Sequence, residues 1–570
     1  MTIDLNFMVG GEAGQGVQSV GYLMAKSFAR GGYHIFADQD YESRIRGGHN
    51  FFRIRIKDSE VNAIREDINI LIALDKESIR LHEMELTKDG VIICDEEMAL
   101  SQNTNQQILR SPIIKLAEEK AGDKVMSNTV ALGIAMGLID YKVDIVIEVL
   151  REFFGKGATS DNNIKALNAG YEYAQQNKGS FTFKPVTPMN NSRRMLLNGN
   201  EAIALGAIAA DCRFVSAYPM TPATSIMEYI AQRGEKLGIV VVQPEDEIAA
   251  VNMIIGAAFT GVRSMTTTSG SGFCLMVEGL GMSGISETPI VIVNSQRPGP
   301  AVGLPTRTEQ GDLLFSIHTH HGDFPRAVLA PATVEDAFWE TIKAFNLADK
   351  YQIPVILLSD QYLSSSYKTV ERFDLSKVTV DRGIIYSADN RSGGMEYKRH
   401  QITESGISPR AFPGTKNVLV MTDSDEHDES GHMIEDAGLR TEQVQKRLRK
   451  FTGLRKELSP MQLYGPPDAD ITLIGWGSTY GAIREVVSRM GEQGARLNML
   501  HLNELWPFPA QSVAEVIDKA GKCYVVENNA TGQLARLIKQ ETGKNLDNKI
   551  LKFDGRPFTP ERIIAGLKGE

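Results

Sequence analysis

Short runs of β-branched and apolar residues alternate along the chain with longer stretches whose apolar positions recur at helical spacing. Gly, Pro and Ser separate the two. The pattern is clearest from Phe214 onward, where FVSAYPMTPATS, VVVQPEDEIAAVNMIIGAAFTG, SMTTTSGSGFCLM and TPIVIVNSQRPGP follow one another. This alternation predicts βαβ units, and so an α/β fold of doubly wound, mostly parallel sheets. In such sheets ligands bind in the crevice outside the carboxyl ends of the strands. Four segments are predicted to leave strands at that rim: Tyr218-Pro219-Met220-Thr221, Gln243 to Glu247, Thr268-Ser269-Gly270-Ser271, and Asn294 to Arg297. A hydroxyl, a carboxylate at a helix start, a Gly/Ser turn and an arginine would then share one edge.

The same reading divides the rest of the chain. LNFMVGGEAGQG predicts a strand, then a glycine turn opening a helix from Val17 to Arg30. Gly11, Gly14 and Gly16 are not spaced as a dinucleotide fingerprint, but a glycine turn at a helix start, here with Gln15, still offers backbone N–H groups to an anion. Arg44 and Arg46 lie beside Gly47-Gly48 and His49, and two guanidiniums at such a turn suit a phosphate. The alternation Phe52, Ile54, Ile56 that follows predicts an edge-type strand with Arg53 and Arg55 on its solvated face. NILIALD and GVIICDE read as buried strands and ALGIAMGLI as a helix, closing a first domain at residues 1–178. A Pro/Ser/Asn linker is expected at 179–197 and the central α/β domain at 198–369. An extended polar segment, expected to pack on its neighbours or a partner chain, covers 370–465, and a compact α/β domain covers 466–570.

Composition narrows the classes. A length of 570 residues implies several domains, and 42% hydrophobic with 23% charged residues is ordinary for a globular chain. The net charge of −10 speaks against a nucleic-acid surface. There is no apolar run of membrane-spanning length and no signal pattern in MTIDLNFMVGGE, so the expected location is cytoplasmic. Cys94, Cys212, Cys274 and Cys523 are far apart, with no C-x-x-C pair for zinc or an iron–sulfur cluster. Cys274 is expected to be a small buried residue. His318, His320 and His321 fit no familiar helical zinc spacing, so no metal is assigned to this chain.

The rim residues also have plainer readings. Thr221 before Pro222 suits a helix N-cap with Pro at the first helical position. Glu245 and Asp246 suit the positive end of a helix dipole. Glu247 suits that role less, because the apolar turns IAAVNMIIGAA follow it. Arg297, straight after IVIV, is an odd structural choice without an anion nearby.

Together, YPMTP, the E-x-A-A helix, TTTSGSG and VNSQRPGP resemble the α part of the 2-oxoacid:ferredoxin oxidoreductases, enzymes of thiamine diphosphate, iron–sulfur clusters and coenzyme A. The resemblance covers nearly the whole chain. It implies that the central domain is the pyrimidine-binding half of the thiamine site, with Tyr218, Pro219, Ser269, Gly270 and Ser271 on the thiamine side. By the same resemblance Glu247 bonds N1′ of the aminopyrimidine, Thr221 touches the substrate, and Arg297 pairs with the 2-oxoacid carboxylate. A carboxylate at N1′ favours the imino tautomer, whose 4′-nitrogen can remove the C2 proton. A guanidinium clamps a carboxylate through two parallel hydrogen bonds. The first domain resembles the family's γ domain, which implies coenzyme A contacts at Gly11, Gly14, Gln15, Gly16, Arg44, Arg46, Gly47, Gly48 and His49. Glu12-Ala13 stands where small residues are commoner. Gly475-Trp-Gly-Ser478 and Leu505-Trp-Pro-Phe-Pro509 resemble the carboxy-terminal domain of transketolase-like enzymes.

The chain lacks both the GDG segment that holds Mg²⁺ and the diphosphate in thiamine enzymes and the cysteines of a [4Fe–4S] cluster. The expected partner is therefore a β subunit carrying diphosphate, Mg²⁺ and cluster, in an (αβ)₂ heterotetramer that reduces ferredoxin. The fused γ and α parts look most like 2-oxoglutarate enzymes forming succinyl-CoA and CO₂, with the reverse direction left open and pyruvate and branched-chain acids as alternatives. A non-catalytic coenzyme A- or nucleotide-binding component and a structural scaffold are the rival classes. Neither rival needs a carboxylate and an arginine on one rim.

Overall fold

The computed structural model describes residues 3–42, 48–98, 106–179, 181, 183–189, 194–387, 397–461 and 463–569. The chain forms two compact units. Met1–Leu197, Ser365–Phe373 and Thr559–Arg562 make the first, and Asn198–Ser364, Asp374–Phe558 and Ile563–Glu570 the second.

The first unit is built on an eight-stranded mixed sheet. Strand Asp4–Glu12 pairs in parallel with Ile68–Ala73, which pairs in parallel with Leu86–Asp95. Its other neighbour, His49–Lys57, runs antiparallel and lies between Asp4–Glu12 and His34–Asp40. That interior placement corrects the expectation of an edge strand. It also corrects the expectation for Arg53 and Arg55, which are 8% and 1% exposed. Each is neutralised by a two-pronged ion pair. Arg53 donates to both oxygens of Asp38 at 3.0 and 2.7 Å, and Arg55 to both oxygens of Asp4 at 2.8 Å. A charge in a sheet interior is tolerable when it is paired in this way. The helix Val17–Arg30 packs on the sheet with Gly21 against the Phe52 ring, a contact that leaves no room for a Cβ. Strands Met195–Asn198 and Tyr367–Val370 complete the sheet from outside residues 1–178.

The second unit holds two sheets, one of seven strands and one of five. In the larger, Val240–Val242, Phe214–Ser216, Ser264–Thr268, Ile290–Gln296 and Pro354–Asp360 are consecutive parallel neighbours. Ile290–Gln296 is buried along its whole length, as an apolar run in a sheet covered on both faces should be. The smaller sheet centres on Ile471–Trp476, parallel to Leu497–Leu502 and Lys522–Glu527.

The polar stretch after Asp374 is anchored on this unit by two buried carboxylates. Asp349 takes Arg263 and Arg410 at 2.7 Å and Arg382 at 3.1 Å. Glu287 takes Lys446, Lys450 at 2.6 Å and His400 Nδ1 at 3.0 Å, all of them buried. Lys446 and Lys450 come from the helix Ala437–Leu454, whose charged sequence gave no sign of a buried face.

Candidate active site

Four neighbouring parallel strands end on one edge, and the segments that leave them carry the rim residues. The helix Glu247–Phe259 follows Val240–Val242, with Asp246 as its N-cap: the Asp246 carboxylate accepts from the Ala249 N–H at 2.8 Å. The cap is thus satisfied without Glu247, which turns inward and is 3% exposed. Glu247 Oε1 is buried without a partner, and a Cβ on Gly272 would collide with it and with Thr268 Oγ1. Burial, and then the neighbouring Asp246 charge, push the Glu247 carboxyl above its ordinary range.

Arg297 leaves Ile290–Gln296 and turns back across the edge. Its Nη1 donates to the Thr221 carbonyl at 2.7 Å and its Nη2 to Ser271 Oγ at 3.4 Å. Thr221, Ser271 and Arg297 are therefore brought together. Thr221 does not cap a helix: the next helix, Thr224–Leu237, starts three residues later behind Ala223. Arg297 Nε is buried without a partner, as are Ser269 Oγ and Asn294 Oδ1. Buried polar atoms are almost always hydrogen-bonded, so four such atoms on one rim, with Glu247 Oε1, mark where a ligand's polar groups would sit. Tyr218 is 38% exposed, with Pro219 beside it, and Gly270 opens the short helix Gly270–Leu275.

One expectation fails here. Cys274 is exposed, because it lies on the outward side of that short helix. The histidines do not converge. His318 ends the helix Leu313–His318, while His320 stacks on His321 at 4.2 Å and packs over Gly281. Among the described residues three potential ligands approach one another only at Glu287, His400 and His427, and there Lys446 and Lys450 already hold the carboxylate.

Sequence reasoning missed Asp312, which reaches the same rim from the loop after Arg297. Its N–H donates to Gln296 Oε1 at 2.9 Å, and its Oδ2 accepts from Asn294 Nδ2 at 3.1 Å. The segment GLPTRTEQGDL held no spacing that singled it out.

In the first unit, Gly14 and Gly16 take left-handed conformations (φ 99° and 80°) that favour glycine, and Gly16 immediately precedes the helix. The Gln15 side chain folds back so that its Oε1 accepts from the Glu12 N–H at 2.8 Å, beside Gly11. Gly48 is also left-handed, and His49 Nε2 shares a 2.8 Å hydrogen bond with His82 Nε2. His82 is a second residue the sequence did not flag. Arg44, Arg46 and Gly47 lie outside the described residues.

With this geometry in place, comparison with known proteins decides the family. A 2-oxoacid:ferredoxin oxidoreductase subunit alpha from Sulfolobus sp is 35% identical over 622 residues, covering 99% of this chain and 96% of its own. The chain belongs to the 2-oxoacid:ferredoxin oxidoreductases. Family models agree: "Pyruvate ferredoxin/flavodoxin oxidoreductase" matches residues 6–173, "Pyruvate flavodoxin/ferredoxin oxidoreductase, thiamine diP-bdg" 205–446, and "Pyruvate:ferredoxin oxidoreductase core domain II" 469–563. The 2-oxoglutarate synthase subunit KorA of Methanothermobacter thermautotrophicus is 35% identical over 370 residues, 65% of this chain and 96% of that one. A solved structure, the 2-oxoglutarate:ferredoxin oxidoreductase from Magnetococcus marinus with 2-oxoglutarate, coenzyme A and succinyl-CoA bound, matches with a TM-score of 0.93. It is 32% identical and covered over 99% of each chain. The resemblance read from the motifs is thereby borne out, and this oxidoreductase chain is an alpha subunit. No helix among its described residues is long and apolar enough to cross a membrane.

Proposed function

We propose that this alpha subunit serves a 2-oxoglutarate:ferredoxin oxidoreductase, which converts 2-oxoglutarate and coenzyme A to succinyl-CoA and CO₂, passes the electrons to ferredoxin, and can run in reverse. The observation that carries the choice of 2-oxoglutarate is the likeness, over 99% of both chains, to an enzyme of that name. Turnover of a panel of 2-oxoacids by the complex assembled with its β subunit tests it. A higher kcat/KM for 2-oxoglutarate than for pyruvate or branched-chain acids is expected, and the reverse order would overturn the assignment.

In this reading the β subunit supplies the Mg²⁺–diphosphate half of the thiamine site and the [4Fe–4S] cluster, in a cytoplasmic (αβ)₂ assembly. Bound thiamine diphosphate supplies the electron sink for decarboxylation. Glu247 would hold the aminopyrimidine at N1′, for which a buried, partnerless carboxylate oxygen is the fitting group. Tyr218, Pro219, Ser269, Gly270 and Ser271 would frame the ring, and Gly272 keeps the space above Glu247 clear. Thr221 and Arg297 would receive the substrate, the guanidinium binding its carboxylate.

Loss of a charge-assisted clamp costs about 1.5–3 kcal/mol. Arg297→Ala is therefore expected to lower kcat/KM for the 2-oxoacid by roughly 10- to 150-fold while hydrogen–deuterium exchange at C2 of bound thiamine stays intact. Lost exchange would show that Arg297 serves the cofactor instead.

Coenzyme A would lie on Gly11, Gly14, Gln15, Gly16, Gly47, Gly48 and His49, its phosphates gripped by Arg44 and Arg46. Arg46→Ala is expected to raise the KM for coenzyme A at least about tenfold and leave that for the 2-oxoacid unchanged. An equal rise in both would speak for misfolding.

A further inference from the structure

Arg297 faces a second carboxyl group besides any substrate. Asp312 is fixed by Asn294 and Gln296 so that its carboxylate lies against Gly270, where a built Cβ would come within 2.7 Å of Oδ2 and 3.2 Å of Oδ1. The next residue, Ser271, accepts from Arg297. Carboxylate and guanidinium thus flank the same Gly270-Ser271 turn. They act on each other through space: the side-chain hydrogen bonds of Arg297 go to Thr221 and Ser271, which leaves further N–H donors for a carboxylate. Burial lifts the Asp312 carboxyl to about 6, against the opposing pull of Asn294 and Arg297. Glu309 on the same loop is raised by burial and then by the Asp312 charge, and Cys274 on the short helix, although exposed, is raised by partial desolvation and then by the same charge.

We infer that Asp312 is a positioning residue for the 2-oxoacid: it is the internal counter-charge of Arg297, and binding of the substrate carboxylate is coupled to protonation of Asp312. This rests on the reading of Arg297 as the carboxylate clamp. Two anions beside one guanidinium in a buried site disfavour each other's charge. A substrate carboxylate therefore raises the proton affinity of Asp312. By linkage, protonated Asp312 binds the substrate more tightly than the ionised form. The 2-oxoacid should be held best below about pH 6 and progressively less well as pH rises through that value. Asp312→Asn keeps the shape and an oxygen for Asn294 but has no charge to offer.

The test uses the assembled complex and an unreactive amide analogue of whichever 2-oxoacid the panel prefers, N-oxalylglycine for 2-oxoglutarate or oxamate for pyruvate. Calorimetric titrations at about pH 7, in buffers of different ionisation heat, read the protons taken up. The wild type is expected to take up a fraction of a proton. Asp312→Asn is expected to take up none, to bind up to about tenfold more tightly at pH 7.5, and to lose the fall of kcat/KM near pH 6. Unchanged proton uptake and affinity in Asp312→Asn, with binding lost in Arg297→Ala, would overturn the inference and leave the clamp standing. Unchanged affinity in Arg297→Ala would overturn both.

Discussion

Replacing Glu247 by glutamine is expected to lower turnover by about 10²–10⁴ with every 2-oxoacid alike, the usual cost of losing one acid–base contributor. The uniformity follows from place. Glu247 opens the helix Glu247–Phe259 at the rim, buried, while Asp246 does the capping. On the proposed role, its free oxygen would bond the thiamine ring, a ligand that is present whichever substrate arrives. The substitution should not harm folding. A carboxyl whose folded value is raised loses stability as pH climbs from its ordinary value through the raised one. An uncharged amide of the same shape avoids that loss, so the thermal midpoint near neutral pH should stay level or rise. NMR of C2 exchange in bound thiamine checks the role, and normal exchange in Glu247→Gln would mean the carboxylate has been misassigned.

The largest stability effect is expected far from the rim. Glu287 Oε1 takes Lys446 and His400 and Oε2 takes Lys450, all of them buried. Burial pushes Lys446 down to about 7 and Lys450 to about 8, while the two ammonium groups hold Glu287 well below the usual carboxylate range. Glu287 also sits at φ 53°, a left-handed conformation unusual for a side-chain-bearing residue. Removing one partner of a buried ion pair costs about 3–5 kcal/mol, because the remaining charge is left uncompensated. Glu287→Gln strands two lysines at once and should cost that much or more. Lys446→Met leaves Glu287 with Lys450 and His400, so it should cost clearly less. Limited proteolysis of residues 397–454 reads the difference. Glu287→Gln should raise the cleavable fraction roughly a hundredfold or more, and equal effects of the two substitutions would rule out this account of the anchor.

Much of this protein was legible in one dimension. Period-two and helical spacings located the strands and helices around Phe214 to Arg297, because those periods are set by backbone geometry and need no distant partner. Parallel order then placed Tyr218, Glu247, Ser271 and Arg297 on one edge, since strand ends in a parallel sheet share a rim. The motif order in the same stretch carried the family. What the sequence could not carry is the pairing of polar groups across long separations. Arg55 sits on an alternating strand with the look of an exposed face, and only its place between two other strands, with Asp4 as partner 51 residues away, buries it. Lys446 belongs to a helix that reads as solvated, yet its partner is Glu287, 159 residues distant. Thr221 does not cap because the helix begins only at Thr224, and its carbonyl instead meets Arg297, 76 residues on, while Asp312 entered the site through a loop of no distinctive period. A charged side chain can be buried wherever folding delivers its counter-charge, and that delivery is a property of the assembled sheets, not of the local pattern.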